Sequence, residues 1–444
     1  MKLRTFKLGG VHPPENKMTA DLPVVPVEVP ARVSVVLSQH LGAPAVPVVA
    51  RGDKVKVGTL IGEAKGFISA NIHSPVSGTV FKIDGVMDAT GYRKDSVIIN
   101  VDGDEWEDKI DRSDELIKEI KLSPDEIIQR LKDTGIVGMG GAAFPTHVKY
   151  MFPEGKSADT LVINGVECEP YLTSDHRLMM EKPDEILVGI TIMMKAGKVK
   201  KALIGIESNK PNAIELLAGK AKDYEGIEVV PLKVQYPQGA EKQLIKALLN
   251  REIPSGKLPL DVGCIVNNVG TAFAVYEAVQ KSKPLIERVV TLTGKGLKKG
   301  GNVKVRIGTP VKNILEKLGE EVPENTGKII SGGPMMGKSV STVDIPVTKG
   351  TSGIVFMEAD ESERNKVQNC IRCSKCVSVC PMGLEPYLLE KLAEKEMFDE
   401  CEKEDIVDCI ECGSCSYTCP SSRPLLDYIR YGKQNVMRIM RERR

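Results

Sequence analysis

Cys370-Ile-Arg-Cys373-Ser-Lys-Cys376-Val-Ser-Val-Cys380-Pro381 and Cys409-Ile-Glu-Cys412-Gly-Ser-Cys415-Ser-Tyr-Thr-Cys419-Pro420 are two copies of one pattern, and they hold eight of the chain's 11 cysteines. A cubane iron-sulfur cluster needs four thiolates converging on one small volume. C-x-x-C-x-x-C wraps three around one face, and the Cys before Pro ligates the other cluster. The spacing assigns Cys370, Cys373, Cys376 and Cys419 to one [4Fe-4S] centre, and Cys409, Cys412, Cys415 and Cys380 to a second. It implies an α-helical, bacterial-type two-cluster ferredoxin domain carrying single electrons. Paired zinc sites need only C-x-x-C pairs, which leaves the third Cys and the trailing Pro unexplained. A disulfide framework suits a short secreted chain, whereas 444 residues leave room for an ample core.

Working outward, that length allows three or four domains. With 41% hydrophobic and 27% charged residues the composition is that of a soluble globular chain. No apolar run approaches the roughly 18 residues of a membrane span. Sixty-one basic against 60 acidic residues give a net charge of +1, so no global field recruits nucleic acid and partners must be recognised locally. The start, MKLRTFKLGGVHPPENK, has no apolar signal core, and thiolate clusters fit a reducing, cytoplasmic compartment.

The expected organisation is α/β and multidomain, with boundaries at 1–105, 106–285, 286–357 and 358–444. Within 1–105, β-branched runs are broken by Gly, Pro and Asp. Arg51 to Gly62 and Ser74 to Val80 look like the half-motifs of a lipoyl-type barrel-sandwich hybrid. Its hairpin Lys65 lies between Ala64 and Gly66 rather than bulky apolar residues, which favours a packing domain over a carrier of a covalent cofactor. An acidic, helix-patterned connector with the start signal Ser123-Pro124-Asp125-Glu126 leads into the second domain. There strands and helices alternate: Thr160 to Ile163, a helix after Pro183, Ala202 to Ile206, a helix after Pro211, Ile227 to Val234, a helix after Gly239, Val262 to Val266, and a helix after Thr271. Such alternation predicts a parallel, doubly wound, Rossmann-like sheet with its ligand beyond the strands' C-terminal ends. Residues 286–357 return to strands around one short helix near Val311 to Leu318, as in an SLBB-type β-grasp module. The last helix ends in four arginines, which suit the negative end of a helix dipole.

Gly138-Met-Gly140-Gly141-Ala-Ala143 fits G-x-G-x-x-A, a permissive expression. A dinucleotide fingerprint follows a strand and opens a helix, whereas these glycines follow a helical run and enter Phe144-Pro145. They read better as a loop whose backbone amides lie against an aromatic cofactor and its phosphate, with Phe144 stacking and Lys149 supplying charge. Gly332-x-x-x-x-Gly337-Lys338-Ser339 also satisfies the phosphate-binding expression, but Val340 to Pro346 is β-branched and offers no helix N-terminus to a phosphate. Cys168, Cys264 and Cys401 lack ligand spacing.

Gly138-x-Gly-Gly-Ala-x-Phe144-Pro-Thr-x-x-Lys149, Asn164-Gly-x-Glu167-x-Glu169-Pro170, Tyr236-x-x-Gly239-x-Glu241 and Asn267-Asn268-x-x-Thr271 recur in that order in the flavin- and NADH-binding subunit of respiratory complex I, which this stretch resembles. With Gly9-Gly-Val-His-Pro-Pro-Glu-Asn-Lys17, the barrel segments, Gly332 to Gly337 and the cysteine tail, the whole chain resembles the C-subunit family of Rnf electron-transport complexes. The resemblance implies that Gly138, Gly140, Gly141, Lys149, Asn164, Glu167, Tyr236, Gly239, Glu241, Asn267, Asn268 and Thr271 surround FMN, with Phe144 and Glu169 nearer the nicotinamide. Phe144 and Glu241 are then the residues closest to hydride transfer. It further implies an ion-translocating ferredoxin:NAD+ oxidoreductase that acts as part of a complex. Its partners would be membrane subunits and a ferredoxin-type cluster subunit, and its place the cytoplasmic face of the membrane. A nicotinamide moves two electrons together and a cluster moves one, so FMN is the needed converter. His147 departs from a glycine of the complex I pattern, and the single Trp, Trp106, lies outside the site. A soluble flavin and iron-sulfur cobalamin reductase, and a non-catalytic cluster-bearing docking subunit, are the rival readings. Each residue also has a plain structural reading, Asn267, Asn268 and Thr271 as helix-capping chemistry above all.

Overall fold

The computed structural model describes residues 3–443. Arg444, one of the four C-terminal arginines, and the first two residues of the N-terminal stretch lie outside the described residues. Residues 32–101 form two small antiparallel sheets. One runs Arg32–Val36, Arg93–Val101, Gly78–Met87, Lys54–Val55, and the other Val46–Pro47, Leu60–Glu63, Ile72–His73. Pairing Val33 with Ile99 and Val35 with Val97 puts alternate residues on one buried face, as the period of two requires. Ile61 and Ile72 close the core from the second sheet, which gives the barrel-sandwich arrangement.

The connector differs from expectation. Its residues up to 122 form no helix, and regular structure begins at the helix Pro124–Asp133. There the start signal is realised. The Ser123 hydroxyl accepts from the Glu126 amide at 3.4 Å, and the Glu126 carboxylate accepts from the Ser123 amide at 2.7 Å. Ile127 and Leu131 are fully buried one turn apart, each worth about 1.5–3 kcal/mol of burial.

Next comes a four-stranded parallel sheet in the order Ile227–Leu232, Lys201–Glu207, Thr160–Asn164, Cys264–Asn268. The central Thr-Leu-Val-Ile run is buried on both faces because helices cover both sides. The helices Pro183–Gly197, Pro211–Lys220 and Glu241–Leu249 start where Pro or Gly announced them. Two details depart from the sequence reading. A helix Ser174–Glu181 was not foreseen, and the last helix begins at Val269 rather than after Thr271, with Asn268 as its cap.

Residues 287–358 build a mixed sheet whose central strands Glu287–Thr293 and Gly353–Glu358 are parallel, with the helix Val311–Leu318 packed through Val311, Ile314 and Leu315. Its edge is completed by Val24–Pro26, paired parallel with Gly301–Arg306. The first thirty or so residues therefore pair outside the two sheets of the barrel that follows them. They run as a strap over three other units, bridging at Arg4 to Leu232 and at Val11 to Tyr236. Short helices and the long helix Leu425–Glu442 make the cysteine domain. Gly432 is required there because a Cβ would come within 2.8 Å of Ala393 on the helix Pro386–Glu394. Two of the C-terminal arginines are held by carboxylates: Arg438 pairs with Glu442, and Arg443 with Asp399 and Glu402. Among the described residues no helix is long and apolar enough to cross a membrane.

Candidate functional site

Three segments converge at the C-terminal end of the parallel sheet. The glycine loop is closed by the Gly138 amide donating to the Phe144 carbonyl at 2.8 Å. It is held onto the helix Val269–Gln280 by the Met139 amide, which donates to the Thr271 hydroxyl at 3.0 Å. Gly140, Gly141 and Ala142 are exposed and Phe144 is half-buried. A Cβ on Gly140 would meet the Asn268 side chain at 3.0 Å, whereas one on Gly141 would point into open space. None of these three glycines has a left-handed φ, so turn geometry does not require them.

Facing the loop are the two strand ends. Asn268 caps its helix by accepting from the Gly270 amide at 2.8 Å, and its amide group donates to Asp175 at 2.6 Å and to the Asn164 carbonyl at 3.3 Å. Asn267 is buried and donates to the Tyr150 hydroxyl at 2.9 Å, but its side-chain oxygen has no partner. A buried polar atom left unpaired costs about 1–3 kcal/mol, so this oxygen is a natural anchor for a bound donor. Lys149 donates to the Val266 carbonyl at 2.6 Å. Burial lowers its ammonium pKa, opposed by Glu241. Glu241 heads the helix Glu241–Leu249. Burial raises its carboxyl pKa, and Lys149 and then Lys242 pull it back.

Other expected flavin residues are engaged with protein. Asn164 donates to the Gly239 carbonyl at 2.8 Å, and the Gly239 amide donates to the Cys168 sulfur at 3.4 Å. The Glu167 carboxylate accepts from the amides of Asp175 at 2.7 Å and His176 at 3.2 Å, so it caps the unforeseen helix and does not face the open loop. Glu169, expected near a nicotinamide, instead accepts from the amides of Met335 at 3.0 Å and Met336 at 2.8 Å. Burial pushes its carboxyl up to about 7 against those two donors. The motif Gly332 to Gly337, which is followed by the strand Lys338–Val340 and not by a helix, thus acts as a latch on Glu169.

Tyr236 also departs from the expected role. Its hydroxyl donates to the Cys412 carbonyl at 2.8 Å, and its backbone pairs with Val11 of the strap. The α/β unit is thereby tied to the second cysteine loop. A small pocket is lined by Cys380, Cys409, Cys412 and Cys415, together with Pro381, Leu389, Ile429 and further apolar residues. Cys380 comes from the first motif and the other three from the second, the crossed grouping that the spacing gives. Burial pushes the thiols of Cys409 and Cys415 up to about 12, with neighbouring thiols adding to it. On the other side, burial raises the Cys376 thiol and the nearness of Cys419 adds to the rise. Cys370 and Cys373 lie on the exposed loop leading into Cys376. Among the described residues no three His, Cys, Asp or Glu converge tightly enough to hold a single ion. These donors and this pocket suit a cubane, and the open glycine loop with its unpaired Asn267 oxygen suits a flavin.

Sequence reasoning missed the support beneath the loop. Asp175 is half-buried, its carboxyl raised to about 7 by desolvation and by Glu167, with Asn268 and Arg288 opposing. Arg288 donates to the carbonyls of Thr351 at 3.2 Å and Met139 at 3.5 Å. Lys17, within the noted N-terminal motif, gives its ammonium to the carbonyls of Glu167, Glu169 and Leu172 at 2.6–2.8 Å. Burial and Lys210 lower its pKa to about 8. Neither contact leaves a periodic or local signal in the sequence.

Residues 131–277 match the family described as the Nuo51 FMN-binding domain, residues 4–104 the RnfC barrel sandwich hybrid domain, and residues 369–422 the 4Fe-4S dicluster domain. The chain is 46% identical over 401 residues to the C subunit of the proton-translocating ferredoxin:NAD(+) oxidoreductase complex of Clostridium ljungdahlii, covering 89% of this chain and 86% of that protein. It is 43% identical over 442 residues to the Na(+)-translocating counterpart of Acetobacterium woodii, covering 98% of each. A solved NAD+-reducing [NiFe]-hydrogenase in the air-oxidized state shares the fold at a TM-score of 0.50 and 15% identity, over 71% of this chain and 66% of that one. With identity at this level across almost the whole length, the chain belongs to the family of C subunits of Rnf-type ion-translocating oxidoreductase complexes.

Proposed function

We propose that this chain is the peripheral electron-transfer subunit of a ferredoxin:NAD+ oxidoreductase complex, passing electrons between NAD(H), FMN and two [4Fe-4S] clusters, with the flow coupled in the complex to ion translocation. The observation that carries the reading is the continuous construction from the open glycine loop to the cysteine-lined cavity, joined by the Tyr236 hydroxyl on the Cys412 carbonyl. On this reading the parallel sheet is a Rossmann-like flavin domain and the 287–358 sheet an SLBB-type β-grasp. Bound FMN supplies the conversion between paired and single electrons.

The chain's own residues bind and orient. Gly138, Gly140 and Gly141 let backbone approach the flavin, Lys149 offers positive charge to its phosphate, and the Asn267 oxygen accepts from it. Asn164, Asn268 and Thr271 hold the loop and strand ends in place, and Glu167 and Glu169 fix the turn between them. Gly239 lets the Cys168 thiol close on the backbone, Glu241 would border the flavin, and Phe144 would orient the nicotinamide as hydride donor. Eight thiolates, Cys370, Cys373, Cys376 and Cys419, then Cys409, Cys412, Cys415 and Cys380, hold the clusters. Membrane subunits and a ferredoxin-type cluster subunit at the cytoplasmic face complete the assembly.

The test is steady-state turnover. The reconstituted chain should pass electrons from NADH to ferricyanide without any membrane subunit. Phe144→Ala should raise KM for NADH or lower kcat while FMN content stays unchanged. Loss of FMN from Phe144→Ala with wild-type kinetics per bound flavin would remove Phe144 from the nicotinamide.

A further inference from the structure

Three residues of the strap stand between the parallel-sheet unit and one buried cysteine set. Val11 is buried against Tyr236 and Cys412, and Cys168, Met335, Val379 and Ile410 pack around these three. The Val11 amide donates to the Tyr236 carbonyl at 2.8 Å, and the Tyr236 amide donates back to the Val11 carbonyl at 2.9 Å. The Gln235 side-chain amide donates to the Gly9 carbonyl at 2.8 Å. On the opposite side the Gly10 amide donates to the Val379 carbonyl at 2.9 Å, one residue before Cys380. The strap is therefore fastened to the flavin-side unit and to a cluster ligand's loop at once.

The fit leaves no room for water. A Cβ on Gly9 would stand 2.6 Å from the Val379 carbonyl oxygen and from the Cys380 backbone, and its φ of +69° is one that L side chains rarely adopt. Cys380, Cys412 and Cys415 are buried, whereas Cys373 of the other set is exposed. Two amides donate to sulfurs of the buried set, Leu384 to Cys380 and Glu411 to Cys409, each at 3.4 Å, and both belong to the cysteine domain itself. Among the described residues the strap donates to none of these sulfurs, so what it brings is backbone and apolar surface in place of solvent. A [4Fe-4S] centre gains negative charge on reduction, and surroundings without water disfavour its more highly charged form. Exclusion of water therefore lowers the midpoint potential.

We propose that Gly9, Gly10 and Val11 are positioning residues for electron transfer: they seal the centre held by Cys380, Cys409, Cys412 and Cys415 from water, hold its midpoint potential down, and fix it against the flavin-side unit at Tyr236. The inference rests on the proposed function, which supplies the grouping of these thiols. Among the described residues the strap's hydrogen bonds into the cysteine domain reach Val379 alone, so the centre of Cys370, Cys373, Cys376 and Cys419 serves as a reference within the same molecule.

The experiment is a dye-mediated redox titration of the holoprotein, with both clusters and FMN, reduced by dithionite and followed by EPR. The signal of the sealed centre is the one lost in Cys380→Ser. Gly9→Ala pushes the strap off Val379 and Cys380. It should raise the midpoint of that centre by about 59 mV, a tenfold change in its reduced-to-oxidised ratio at a fixed potential, and leave the other centre unmoved. Val11→Thr keeps the volume and adds a hydroxyl that can turn its dipole toward the added charge, so it should shift the same centre in the same direction, by less. Iron content and flavin bleaching by NADH should match the wild type. If Gly9→Ala loses iron, Val11→Thr decides alone. An unmoved or lowered midpoint in a variant that keeps its iron, or equal shifts at both centres, would overturn the seal. A selective rise in a protein whose flavin NADH does not bleach would instead strike the proposed function and leave the seal standing.

Discussion

Gly141→Val separates a structural glycine from one that makes room for a ligand. Its Cβ meets no protein atom within 4 Å and its φ lies outside the left-handed region, so the substitution introduces neither clash nor backbone strain. Replacing an exposed loop glycine with a compatible φ is neutral or stabilising, by about 0.4–1 kcal/mol, through the unfolded chain. The new methyls enter the space left for the flavin. Overpacking of a fitted contact costs about 1–3 kcal/mol, which corresponds to a rise in Kd for FMN of about fivefold to somewhat over a hundredfold. Flavin fluorescence quenching gives the affinity, the thermal midpoint gives the stability, and iron content controls for the clusters. Gly140→Val is the less diagnostic partner, since its side chain strikes Asn268 at 3.0 Å and with it the helix cap and the bond to Asp175. Wild-type FMN affinity in a folded Gly141→Val chain would refute the placement of the flavin against this loop.

Cys380→Ser should lower iron from about eight toward about four per chain, and the lost EPR signal should belong to the cluster of Cys409, Cys412 and Cys415. Loss of the signal of the Cys370 set instead would defeat the crossed grouping. Tyr236→Phe leaves the Cys412 carbonyl without its donor, so the midpoint of unfolding should fall by the equivalent of about 1–3 kcal/mol while FMN content is kept. An unchanged midpoint would remove this bond from the junction. Lys349 is fully buried with its ammonium on the carbonyls of Asn71 at 2.6 Å and Gly135 at 2.7 Å, and burial lowers its pKa to about 7. A depressed folded-state pKa means that the unfolded chain binds the proton more tightly, so stability rises with pH between about 7 and 10.5. Relative to Lys349→Met, the wild type should gain at most about 1.4 kcal/mol per pH unit across that window in denaturant titrations. A flat difference would show that the ammonium is not desolvated.

What the sequence made legible is what local chemistry encodes. The eight thiols were legible because a cluster demands fixed spacing, and the cap at Ser123 because Ser and Glu three residues apart satisfy two amides within one turn. The parallel sheet was legible because apolar strands and helix starts alternate. The strap was not, because a stretch rich in Pro has no period, and its meaning lies in partners far along the chain: Lys17 on Glu167, Val24 beside Asn302, Gly10 on Val379. The contacts of Glu169 were not legible for a related reason. A Glu beside Pro170 carries no trace of the two amides at Met335 and Met336 that claim it. Asp175 and Arg288, which brace the glycine loop from below, sit in a helix and a strand whose patterns speak only of burial.

Whether NADH delivers electrons to this chain alone is decided by an anaerobic titration of the fully reconstituted chain with NADH, followed by flavin absorbance and by EPR. The flavin should bleach as NADH is added, and the cluster held by Cys380, Cys409, Cys412 and Cys415 should come to redox equilibrium with it without any other subunit. A chain with full FMN and both clusters whose flavin remains oxidised in excess NADH would contradict it.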